Sequence, residues 1–218
     1  MTTFRDIDLV CPNCDAHFSS EVIELLETSA RKRTDFHVYR DGVKPLDYGV
    51  HLCGACGFAG LEAWFGAEAY VSYDVQAHVW NELTPRMAMG SLPASEKYEF
   101  AAKVATWNGL DPRQLADLWL RAAWCSADEG DIEAERFYRR HAVWNFEKAL
   151  GTYDDVRAED RAVITYLVGE LWRRIGDTAR ASEWFARVPH AVTNAREQSW
   201  LVRWANQQQA DPQEWFVQ

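Results

Sequence analysis

Four of the five cysteines fall into two pairs of one spacing, Cys11-Pro12-Asn13-Cys14 and Cys53-Gly54-Ala55-Cys56, with 38 residues between the pairs. No other feature constrains the fold as strongly. A CxxC pair closes into a tight knuckle that aims two sulfurs at one point, and two facing knuckles complete a tetrahedron. Proline, asparagine, glycine and alanine stand where each knuckle must turn backbone N–H groups toward sulfur. The spacing therefore predicts one metal ion held by Cys11, Cys14, Cys53 and Cys56. Zinc suits four thiolates, because it has no redox chemistry and accepts a closed tetrahedron. An iron–sulfur cluster and two separate redox pairs are the alternatives. A redox pair is expected to open a helix after a strand, and no helical pattern follows either knuckle directly. Four protein ligands leave no position for water, so the ion's expected role is structural. His17, His37 and His51 lie near the knuckles and read as strand or loop residues outside a shell that is already complete.

Tryptophan marks a boundary: all 11 lie at Trp64 or beyond. Residues 1–60 are expected to form a small zinc-ribbon-like β module. Inside it, Ser19-Ser20 followed by Glu21, Val22, Ile23, Glu24, Leu25 and Leu26 predicts an inserted helix with a serine cap and acids in its first turn. Phe36–Tyr39 and Tyr48–Leu52 alternate as strands, with Asp41-Gly42 as a hairpin turn. Chelation is expected to unfold these residues, to leave most helical dichroism, and to disturb tryptophan little.

Residues 61–218 read as helical. Asp111-Pro112, Gly130-Asp131 and Gly176-Asp177 combine helix-ending and helix-starting residues. The predicted helices cover about 61–83 (with a break near Ser72), 95–108, 112–129, 132–150, 157–175, 178–188 and 191–209, with a last turn after Pro212. Two apolar stripes on 132–150, one through Tyr138, Ala142, Phe146 and Ala149 and one through Phe137, His141 and Trp144, suggest a helix with neighbours on both sides. The run from Gly169 through Trp172, Gly176, Ala181 and Phe185 has the small–aromatic–glycine–alanine–aromatic order of a tetratricopeptide hairpin. The expected fold class is α+β, mostly α: the zinc-ribbon-like module at 1–60, then a tetratricopeptide-like stack of helical hairpins at 61–218.

Charge narrows the function. The net charge is −10, and both parts are acidic, −3 for residues 1–60 and −7 for the rest. A phosphate-neutralising surface needs clustered cations. The candidates in the zinc module are Arg31, Lys32, Arg33, Arg40 and Lys44, with Tyr39 to stack on a base. No secretion signal and no long uncharged apolar stretch is visible, so a cytoplasmic location is expected. HExxH, GxSxG, Walker A and GxGxxG patterns are absent from the sequence. Asp154-Asp155 reads as a loop, and Cys125 as a buried inert thiol beside Trp124.

The two knuckles, the run Cys53–Ala59, Leu120-Arg121-Ala122-Ala123-Trp124, and the stretch from Tyr166 through Phe185 together resemble a bacterial family. Its members join an N-terminal paired-CxxC module to C-terminal tetratricopeptide-like helices. Gly54 departs from the proline often found at that knuckle position, and glycine serves the turn as well. The resemblance implies this architecture and no activity. The expectation is a non-enzymatic zinc-stabilised scaffold that binds a peptide or protein partner on its helices, with no membrane role. Trp107, Trp119, Trp200 and Trp204 are its candidate anchors, although helical tryptophans are more often core residues. Nucleic-acid binding by the zinc module, or a thiol-redox role, is the alternative.

Overall fold

Strand pairing starts at the third residue. The computed structural model describes residues 2–26, 29–40, 42–152 and 156–216. In it, β1 (Thr3–Val10) and β2 (His17–Leu25) form an antiparallel hairpin. Along β1, Ile7 and Leu9 are buried while Asp6 and Asp8 face solvent, the alternation of a strand with one wet face. The helix expected after Ser19-Ser20 is therefore corrected to strand. Ser20 lies opposite Ile7, Ser19 opposite Asp8 and Val22 opposite Arg5, so pairing with β1 overrides the local capping signal. The β-branched Val22 and Ile23 suit this conformation.

Two shorter antiparallel pairs follow, β3 (Ala30–Lys32) with β4 (Val38–Arg40), and β5 (His51–Leu52) with β6 (Ala59–Gly60). The strand expected over Tyr48–Leu52 shrinks to β5, because Pro45–Tyr48 forms a 3-10 turn. Phe36 stands outside β4 with φ 70°. Asp41, Asp154 and Asp155 lie outside the described residues.

The helices are α1 (Tyr73–His78), α2 (Thr84–Met87), α3 (Ala94–Trp107), α4 (Pro112–Glu129), α5 (Ile132–Gly151), α6 (Ala158–Ile175), α7 (Thr178–Ala191) and α8 (Ala195–Ala210). The expected helix over 61–83 resolves into a 3-10 turn at Glu62–Phe65, then α1, then a π-helical turn at Val79–Leu83. Ser72 caps α1, accepting from the Val75 N–H. The aspartate caps stand where the sequence places them: Asp111, Asp131 and Asp177 accept from the N–H groups of Gln114, Ala134 and Arg180. Among the described residues no helical turn follows Pro212; Trp215 instead makes a β-bridge with Arg33. The architecture is α+β and mostly α. No helix of the described residues is long and apolar enough to cross a membrane.

The chain divides into two compact units. One unit comprises residues 1–29, 40–110 and 121–135, and the other 30–39, 111–120 and 136–218. In the first, β6 lies against α3, where Ala101, Ala102 and Ala105 are fully buried and small enough for close approach. This contact ties the second cysteine hairpin to the helices that follow it. In the second unit, Tyr166, Phe185, Val188 and Leu201 form the centre of the core. Phe36 belongs to this core, with its ring 5.6 Å from that of Tyr166. A β-carbon at Gly169 would meet the Phe185 ring at 2.7 Å, so the α6–α7 contact depends on that glycine.

Candidate metal centre

Each cysteine pair occupies the turn of a hairpin, the first between β1 and β2 and the second between β5 and β6. The two turns share one bonding pattern. The Cys11 carbonyl accepts from the Asp15 N–H at 2.9 Å, and the Cys53 carbonyl from the Gly57 N–H at 2.8 Å. The Cys11 N–H donates to the Ala16 carbonyl at 3.0 Å, and the Cys53 N–H to that of Phe58 at 2.9 Å. This pattern requires a left-handed residue after the second cysteine. Gly57 supplies it with φ 82° and Asp15 with φ 57°, since aspartate tolerates that region better than most residues.

The four sulfurs converge within 4.8 Å of one another. Cys11 Sγ lies 3.6 Å from Cys56 Sγ, and Cys14 Sγ 3.6 Å from Cys53 Sγ. Four sulfurs bonded at ~2.3 Å to one tetrahedral ion stand ~3.8 Å apart, so the donor set fits a metal of zinc's size. Cys11, Cys53 and Cys56 are fully buried, and all four cysteines are free of disulfides. The Phe58 N–H points at Cys56 Sγ at 3.4 Å. Further N–H groups, of Asn13 on Cys11 and of Cys56 and Ala55 on Cys53, favour thiolate.

Thiols this close share their protons unequally. Hydrogen bonds from Cys11 and Cys56 pull the Cys53 thiol down to about 2. Donation toward Cys53 pushes Cys11 up to about 12, and Cys56 is raised by its bonds to Cys11 and Cys53. A divalent cation among them would let all four ionise together. Among the described residues, no other group of histidines, cysteines and acids converges in this way.

The second knuckle rests on the helical part of its own unit. A β-carbon on Gly57 would meet Leu83 atoms at 3.0–3.2 Å, and the Thr84 hydroxyl donates to the Cys56 carbonyl at 2.7 Å. The same hydroxyl donates to the Val79 carbonyl at 3.2 Å, at the π-helical turn.

The three histidines lie outside the cysteine cluster. His51 is buried, its Nδ1 is 2.8 Å from the Ser20 hydroxyl, and burial lowers its pKa. His17 is exposed at the start of β2. His37 lies tilted against Tyr39, with ring centroids 4.9 Å apart. Cys125 is buried, and burial pushes its thiol up, as expected of an inert residue.

The four candidate tryptophans are packed, the commoner reading for helical tryptophans. Trp119 is buried against Tyr138 and His141, Trp107 stacks on His78, and Trp200 and Trp204 border the core of the second unit. Trp80 and Trp144 are the exposed ones, at 47% and 63%.

The sequence reading missed a buried ionic cluster in the second unit. Asp35 and Glu170 are both fully buried. Asp35 lies 3.1 Å from Arg139 and 3.6 Å from Arg174. Glu170 lies 2.8 Å from Arg173 and 2.6 Å from Arg174, and accepts from the Thr34 hydroxyl at 2.7 Å. Burial pushes the Asp35 carboxyl up, but Arg174, Arg139 and Arg33 outweigh it and hold it at about 2. The available signal was Glu170 inside the apolar run of α6, with arginines three and four residues on.

A family model described as "Uncharacterized protein conserved in bacteria (DUF2225)" matches residues 4–211. No curated protein and no solved structure matches the chain.

Proposed function

Because the chain belongs to this conserved bacterial family, we propose that it is a non-enzymatic, zinc-stabilised scaffold whose helices bind a peptide or protein partner. The observation that carries the reading is the closed shell of four converging sulfurs. Cys11, Cys14, Cys53 and Cys56 would hold one zinc ion with no position open to substrate, so the ion would fasten two hairpins and activate nothing. Binding is then the work of the helices. The close α6–α7 approach at Gly169 supports a tetratricopeptide-like hairpin there.

The nucleic-acid alternative draws on cations that already have partners. Arg33 faces Asp35, the Arg31 guanidinium lies over Trp215, the Lys32 ammonium lies over Phe36, and Lys44 donates to the Asp128 carbonyl. That engagement, with the net charge of −10, favours a protein partner. The test is to retain proteins from the source bacterium on the immobilised full chain and re-measure each with purified components. A reproducible one-to-one protein complex supports the reading. Salt-sensitive retention of RNA or DNA, with no protein complex, would overturn it.

A further inference from the structure

The segment Gln213–Phe216, which follows α8, is seated on the second unit as a ligand peptide would be. It pairs by backbone with the segment around β3: Thr34 N–H donates to the Glu214 carbonyl at 3.1 Å, and Phe216 N–H to the Lys32 carbonyl at 3.0 Å. Strand addition of this kind is a standard mode of peptide capture. Three side chains then dock in sequence. The Glu214 carboxylate accepts from Arg174 Nη1 at 2.7 Å and lies 3.8 Å from Arg33. The Trp215 ring lies under the Arg31 guanidinium at 4.6 Å and edge-on to Tyr39. Phe216 stacks on Phe36 at 5.7 Å and meets Trp204 edge-on at 4.7 Å.

Part of the floor of this groove is held by ion pairs of its own. Beneath Glu214, the acids Asp35 and Glu170 already pair with Arg139, Arg173 and Arg174. Glu214 itself keeps 58% of its side chain exposed, and Trp215 and Phe216 are only half-buried. The groove residues lie within the stretch matched to the family, whereas the occupant lies past residue 211, where that match ends.

We propose that this groove is a docking site for an acidic–aromatic peptide of another protein, of the pattern glutamate–aromatic–aromatic, and that Gln213–Phe216 occupies it in cis. Arg174 and Arg33 select the carboxylate, the Arg31–Tyr39 and Phe36–Trp204 surfaces select the two rings, and the Lys32–Thr34 backbone selects an extended peptide. A nucleic acid offers no backbone to that edge. The inference rests on the scaffold reading above and gives it a site, a ligand chemistry and a means of self-occlusion.

The experiment compares the full chain with a chain ending at Pro212, each titrated with a labelled peptide Asp-Pro-Gln-Glu-Trp-Phe-Val-Gln. A short tether presents its segment at about 1 mM, so a peptide with a Kd of about 20 μM for the open groove is weakened roughly fiftyfold by the segment in cis. The shortened chain is expected to bind at least tenfold more tightly than the full chain. A peptide with lysine for glutamate and alanine for both rings is expected not to bind. The full-length double variant Glu214→Lys/Phe216→Ala, which keeps the chain length, is expected to bind the peptide as the shortened chain does. Equal affinity of full and opened chains, or no binding to a double variant with native circular dichroism, overturns the proposal. So does dimerisation of the full chain by exchange of this segment, which would place a second copy in the groove. A protein partner that binds elsewhere, with affinity unchanged on shortening, would refute the groove and leave the scaffold reading intact.

Discussion

Replacing Asp35 with asparagine is the sharpest single perturbation of the second unit. Its carboxylate is fully buried and faces Arg139 at 3.1 Å and Arg174 at 3.6 Å, both themselves nearly inaccessible. Asp35→Asn keeps the shape and removes the charge. Breaking a buried ion pair from one side costs about 3–5 kcal/mol, because the remaining charge stays desolvated. Arg174 retains Glu170 at 2.6 Å, which places the expected loss at the lower end, about 3 kcal/mol. That is a large share of a stability of roughly 5–15 kcal/mol. Equilibrium urea unfolding, followed by circular dichroism at pH 7, measures it. The pH dependence supplies a second readout. The folded carboxyl titrates at about 2 against 3.8 when free, so the unfolded chain binds this proton first as the pH falls. The stabilisation is present in full above about pH 4 and is lost as the pH falls toward 2, amounting to about 2–3 kcal/mol across that window. The variant should lack this component. A loss under 1 kcal/mol at pH 7, or an unchanged acid limb, would refute the argument that the arginines depend on Asp35.

Gly169→Ala should destabilise the chain although alanine favours helices by about 1 kcal/mol. Its β-carbon would press the buried Phe185 ring at 2.7 Å, and overpacking of this kind typically costs about 1–3 kcal/mol; a raised melting temperature would contradict the close α6–α7 contact. Gly57→Ala should loosen the second knuckle, since the residue needs φ 82° and abuts Leu83; it should lose metal to a chelator at least tenfold faster than the wild type, and equal rates would count against the turn geometry. Chelation should also reach further than residues 1–60. Cys56 and Gly57 rest on Leu83 and Thr84, next to the π-helical turn that carries Trp80, so tryptophan emission should shift on metal removal, and an unchanged spectrum would show the knuckle to be uncoupled from that turn.

The sequence was most legible where a short-range rule decides the outcome. The aspartate caps of α4, α5 and α7 follow from residues three apart. The cysteine cluster was legible for the same reason, because each CxxC dictates its own turn. What escaped depends on distant partners. Ser19-Ser20 carries a real capping signal, yet β1 claims those residues as a strand through pairing that no local window contains. Phe36 reads as part of a strand, whereas its side chain fills a gap beside Tyr166, far along the chain. The Asp35–Arg139 and Thr34–Glu170 contacts likewise join residues more than a hundred positions apart. Composition likewise does not register that Ala59-Gly60 lies against α3.

One zinc ion on the four cysteines can be sought directly by native mass spectrometry with elemental analysis of chain purified without chelators. One zinc per chain is expected, lost in Cys11→Ser and in Cys53→Ser alike and unaffected in Cys125→Ser. A chain purified without metal, an iron–sulfur absorption spectrum, or zinc retained in full when Cys53 is replaced would contradict it.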